Sequence, residues 1–167
     1  MNGALAGAAG AAIWAAQQPV DKRLFESDYD DVELLGKLVT RDSGWPLAGF
    51  LLHVQTGALF GVLYTHARPF LPGPAPARGV LASMVEHVGL WPLTRASDRI
   101  HPARGELPSL WGNRRAFAQV TWRHFLFGVV VGELERRLNA EDEYEPPQVP
   151  VSSNGHGNIE RAAVGAA

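Results

Sequence analysis

Residues 47–65, LAGFLLHVQTGALFGVLYT, contain no charged side chain, and neither do residues 3–16, GALAGAAGAAIWAA. Residues 79–94, GVLASMVEHVGLWPLT, carry Glu86, and residues 116–134, AFAQVTWRHFLFGVVVGEL, carry Arg123 and a terminal Glu133. The charges gather instead in residues 21–42, 95–115 and 133–145. A membrane-spanning helix needs about 20 mostly apolar residues, within a range of about 17–25. The second and fourth stretches reach that length. The first and third reach it only if Gln17, Gln18 and Arg95 sit at the interface, where long basic side chains snorkel. The pattern predicts an all-α membrane bundle of about four short transmembrane helices over residues 1–139.

The averages do not carry this reading. Hydrophobic residues are 46% and mean hydropathy is −0.06, values that suit a soluble protein. A core helix of a soluble domain, however, keeps a polar stripe. In 47–65 the polar members His53, Gln55 and Thr56 scatter around the wheel. Trp14, Trp45, Tyr64 and Trp91 lie near stretch ends, as interfacial aromatics do. A secretory signal in 3–16 would need a basic segment ahead of the apolar run, and only Met1 and Asn2 stand there. A net charge of −2, with no basic patch interleaved with aromatics, argues against nucleic acid as a partner. The absence of cysteine excludes disulfides and thiolate chemistry.

Between the first two stretches, Ser27 or Asp28 is placed to cap a short amphipathic helix whose Val32, Leu35 and Leu38 share a face. That helix is expected on the membrane surface or packed under the bundle. The prolines of 67–78 predict a tight non-helical connector, and 96–114 reads as polar and turn-rich. Residues 140–167 read as a disordered acidic and polar tail.

Small residues recur every four positions: Gly3, Gly7, Ala11 and Ala15; Gly49, Gly57 and Gly61 with His53 among them; Gly79 and Ser83 followed by His87; Gly128 and Gly132 preceded by His124. Residues four apart share a helix face, and small ones let backbones approach closely in lipid. Each of the last three stretches therefore sets one histidine on its packing face. His53, His87 and His124 are expected near mid-span, flanked by Glu86 and by Arg123, with Gln119 one turn before Arg123. An isolated charge in hydrocarbon is costly, so Glu86 and Arg123 are expected to pair with each other or to face a wet cavity.

The simplest use of the imidazoles is hydrogen bonding across helices. The sharper uses are a metal or haem site, with His53, His87 and His124 as ligands, or a proton relay that includes Glu86. No tight ligand spacing marks them out, so no cofactor is favoured. Phosphate-loop and nucleophile-elbow motifs are missing. Asp28, Asp30, Asp31 and Glu33 are expected to complement a helix N-terminus rather than to bind a cation. His66, His101 and His156 are expected to have no specific role.

The opening small-residue stretch, HVQTGALFG in the second, EHVGLWPLT in the third and WRHFLFGVVVGELERRL at the close together resemble YagU-like inner-membrane proteins and their actinobacterial relatives. The likeness covers roughly residues 3–138. It implies about four helices and a multi-pass bacterial inner-membrane location. It carries over no catalytic residue and associates the chain with stress or acid tolerance. The proline-rich connector and the acidic tail depart from the pattern.

The function expected is that of a non-enzymatic structural or stress-related membrane protein. The alternatives are a small transporter, channel or proton-conducting bundle, and a membrane metal- or haem-binding protein using its histidines. The bilayer is the expected partner, and the small-residue ridges also suit a homo-oligomer. Loops 17–46 and 95–115 hold most of the basic residues, which places them in the cytoplasm and both termini outside.

Overall fold

The computed structural model describes residues 1–140; the tail expected beyond them lies outside the described residues. Four long helices carry the fold: α1 (Asn2–Phe25), α3 (Trp45–Ala67), α4 (Ala75–Leu90) and α6 (Arg114–Leu138). Two short ones, α2 (Asp31–Val39) and α5 (Thr94–Ile100), fill the connections. Among the described residues there is no strand. The long helices alternate in direction. They pack in the order α3, α1, α6, α4, so that α1 and α6 form the centre and α3 and α4 flank them.

Glycine determines how close the pairs come. A Cβ on Gly7 would collide with the carbonyl of Gly57, and one on Gly61 with that of Gly3. On the other side a Cβ on Gly79 would strike the carbonyl of Gly128, and one on Gly132 that of Ala75. Two backbone-to-backbone seams result, α1 on α3 and α4 on α6. The ridges that suited a second copy of the chain are thus occupied within one chain. The central α1–α6 interface is built differently, with Gly10 seated against Phe127 and Val131. Trp14, Phe127, Val131, Ala11 and Tyr64 make the core there.

The boundaries differ from the sequence expectation in physically clear ways. α1 continues through Pro19 to Phe25, where Glu26 turns the chain in the left-handed region at φ 47°. The proline-rich connector is partly helical: a 3-10 turn at Arg68–Phe70 follows α3, and α4 starts at Ala75 with Pro76 in its first turn. Proline fits there because the first helical N–H groups have no partner within the helix. Asp30, not Ser27 or Asp28, caps α2, accepting from the Glu33 N–H at 3.0 Å. The α2 helix is not a detached surface element. It packs on the first turns of α3, with Gly36 against Trp45 and Gly49 against Val32. Its packed face therefore centres on Gly36, and Leu38 is exposed. Trp14 and Tyr64 are core residues rather than interfacial ones, at 6% and 2% exposure.

From α5, the Asp98 carboxylate collects the N–H groups of Leu110 and Trp111 and the Ser109 hydroxyl. His101, which the sequence left without a role, is buried. Its Nε2 bonds the Leu34 carbonyl at 3.0 Å and its Nδ1 accepts from the Ala103 N–H, which pins this loop to α2.

Among the described residues one helix, Trp45–Phe70 with its 3-10 turn, is long and apolar enough to cross a membrane, at mean hydropathy 1.5. The expected four spans reduce to one by that measure. The last turns of α1 hold Asp21, Lys22 and Arg23; α4 has 16 residues, about 24 Å of rise; α6 carries Arg123 and charges at both ends.

The seams predict an asymmetry among glycines. Gly61→Ala is expected to cost about 1–3 kcal/mol through backbone collision. Gly89, which faces open space in α4, is expected to tolerate Ala with a gain of up to about 1 kcal/mol. Chemical denaturation followed by far-ultraviolet circular dichroism checks both.

Candidate functional site

Arg123 is fully buried on α6, on the face turned to α1. Its Nε and one terminal nitrogen bind the two oxygens of Asp21 at 2.6 Å each, the bidentate geometry that suits guanidinium to carboxylate. The other terminal nitrogen donates to Asp31 at 2.6 Å, and the terminal nitrogen on Asp21 also donates to the Tyr29 carbonyl at 3.1 Å. The Gln119 amide, one turn earlier, donates to Asp21 at 2.7 Å. Asp31 opens α2 and also accepts from Trp14 Nε1 at 2.8 Å and from the Tyr29 hydroxyl at 2.6 Å. One guanidinium thus ties together α6, α1 and the start of α2.

The expected Arg123–Glu86 pair does not form. Residue 123 faces α1, whereas Glu86 lies on the far side of α6, on α4, where its nearest basic neighbour is His124 Nε2 at 3.8 Å. Asp31 does more than complement a helix end, and Asp21 was missed altogether. Asp21 sits among Lys22 and Arg23 in a stretch that reads as loop, so nothing local marked it as a buried partner.

Burial alone would push the Asp31 carboxyl up; the Arg123 charge and the Tyr29 and Trp14 hydrogen bonds outweigh it and hold the group below its ordinary 3.8. Burial, followed by the Asp31 carboxylate, pushes the Tyr29 phenol well above its ordinary 10.0.

The three histidines form a row rather than a cage. His87 stacks on His124 with ring centroids 4.7 Å apart, and Trp14 sits edge-on between His124, at 4.7 Å, and His53, at 5.3 Å. His87 Nε2 bonds Thr121 Oγ1 at 3.0 Å, and His124 Nδ1 bonds the Val120 carbonyl at 2.8 Å. His53 Nε2 is buried with no partner. Among the described residues no group of three or more His, Cys, Asp or Glu side chains is arranged to hold a metal ion. The imidazoles proposed as ligands stack and separate instead of converging.

This row forms the floor of a cleft of about 350 Å³ between α3 and α4, roofed by Leu34 and Leu35 of α2. Asp31 and Tyr29 reach its edge, so the ionic network and the cleft share a wall. Ser83 is spent on packing, donating to the His124 carbonyl at 2.8 Å across the α4–α6 seam. A second ion pair, half-buried Arg68 with buried Glu135 at 2.8 Å, joins α6 to the turn after α3 at the opposite pole, where Asn139 supports Glu135 and Asn2 reaches Asn139.

No family model, curated protein or solved structure matches this chain.

Arg123→Met is expected to destabilise the fold by about 3–5 kcal/mol, because it strands two carboxylates, and the double variant Arg123→Met/Asp21→Leu to recover part of that loss. Equilibrium unfolding of the three proteins checks this. Because the folded-state value of Asp31 is depressed, its stabilisation is fully present above the ordinary 3.8 and is lost as pH falls through the lower folded value. The thermal midpoint is expected to fall as pH drops below about 3.8, with a smaller fall in Asp31→Asn.

Proposed function

We propose that the chain is a multi-pass membrane protein of the bacterial inner membrane, with α1, α3, α4 and α6 all crossing the bilayer, and that its role is non-enzymatic. The observation that carries this reading is the inversion of polarity. Arg123, Gln119, Glu135, Asp21 and Ser83 are among the largest fully buried side chains. Leu51, Leu59 and Leu63 on α3, Val85 and Val88 on α4, Phe125 on α6 and Leu5 on α1 are exposed. Water tolerates the buried charges because they are paired, but it disfavours large apolar side chains exposed along every long helix. Lipid favours this arrangement, since intramembrane charges turn inward and pair.

The short α4 is accommodated by local thinning or by neighbours at its ends, at modest cost per ångström. The inner-membrane location comes from the resemblance to YagU-like proteins. A non-enzymatic role is supported by the Arg123 and Glu135 networks, whose charged members satisfy one another. A second reading, a small transporter, is favoured by the cleft between α3 and α4, which brings the Glu86 carboxylate into an aromatic, apolar space.

With no native cysteine, single cysteines report sidedness cleanly. Pro72→Cys and Gly105→Cys lie in loops at opposite poles of the bundle. One is expected to label in intact cells and the other only after lysis. Equal labelling of both, or release of the protein by an alkaline carbonate wash, would reject the spanning arrangement.

A further inference from the structure

We propose that the cleft between α3 and α4 binds a lipophilic organic cation, with Glu86 as its counter-ion and aromatic side chains as its walls. The proposal rests on the membrane reading, because the cleft opens between two helices whose outer faces are apolar.

Charge accounting selects a cation. Two carboxylates line the cleft, Asp31 and Glu86. Arg123 is shared between Asp21 and Asp31, one guanidinium for two carboxylates, so this wall keeps a net negative charge, and the guanidinium is sealed behind it with no exposed surface. Glu86 has among the described residues only His124 within ion-pair range, at 3.8 Å, and a neutral imidazole leaves its charge in place. Its side chain is 39% exposed, so a ligand can reach it. An anion would meet two acids and no available base. A neutral ligand would cover Glu86 and leave its carboxylate desolvated and unpaired, which is costly.

The walls select an organic cation over a metal ion. Trp14, Phe60, Trp91 and Phe127 line the space, and aromatic faces attract cations. The imidazoles offer no converging ligand set. The volume, about 350 Å³, suits a small drug-sized molecule. His53, 7% exposed on the same lining, adds a buried Nε2 without a partner, an acceptor suited to an ammonium N–H.

The test uses the full chain in detergent micelles, with methyltriphenylphosphonium as probe and methyltriphenylsilane as its neutral isostere, read by calorimetry and by tryptophan fluorescence. Saturable binding of the cation is expected, with binding of the silane weaker by about tenfold or more. Glu86→Gln is expected to weaken cation binding by a similar factor, and Glu86→Asp to retain most of it. Thr56→Trp, which leaves Glu86 intact and fills the cleft from α3, is expected to abolish binding. Helicity and thermal midpoint are measured on every variant, and only variants matching the parent are compared. Equal binding of cation and silane, undiminished binding in Glu86→Gln, or no saturable binding by the folded parent overturns the proposal. These outcomes are independent of the carbonate wash and the cysteine labelling. A chain that stays in the membrane but ignores the cation defeats the cleft assignment alone, whereas a chain that leaves the membrane defeats the reading beneath it.

Discussion

The guanidinium of Arg123 is the fixed point of this structure. A buried charge of this kind is tolerated only where its partners are complete, and here two carboxylates and a backbone carbonyl complete it. Each partner brings an element with it. Asp21 fixes the rotation and depth of α1 against α6. Asp31 fixes the first residue of α2, and so sets which part of α3 that short helix covers. Trp14, held by the same Asp31, is thereby oriented between two histidines. Displacing any of these leaves a charge unpaired, so the arrangement is specified sharply rather than by shape alone.

The glycine seams complement that polar pin. Where Gly7, Gly57 and Gly61 meet, and where Gly79, Gly128 and Gly132 meet, dispersion between close backbones holds each pair. The α1–α6 interface carries bulk instead, with Phe127 and Val131 against Gly10 and with Trp14 nearby. Two tight outer pairs joined through a wider centre keep α3 and α4 apart along their facing sides. The cleft is a geometric product of that difference in side-chain size.

The all-helical architecture was legible because charge-free stretches and four-residue spacing are local properties. Which helix meets which is not local, and the spacing alone did not reveal it. The α1 helix runs well past Ala16, and there Gln17 and Asp21 meet Trp122, Gln119 and Arg123 of α6; read in isolation they look like a loop. The neighbours Glu86–His87 and Arg123–His124 suggested one shared centre. In the fold the about 100° between consecutive helix positions sends Arg123 to α1 and His124 toward α4. His101 was invisible as a structural residue because its partner, the Leu34 carbonyl, is a backbone group that no sequence pattern marks.

The pairing of Asp21 with Arg123 joins residues 102 positions apart, α1 to α6. A ribosome adding about 5–20 residues per second takes roughly 5–20 s to bridge that interval. Throughout it the N-terminal helix carries an acid whose base has not yet been made. The α1–α3 seam can close early, since its glycines are all in the first half of the chain, but the hairpin so formed holds an unmet charge on its open side. Biogenesis of this protein thus has a built-in order: the α1–α3 seam first, and the α4–α6 seam and the ionic lock only when α6 arrives.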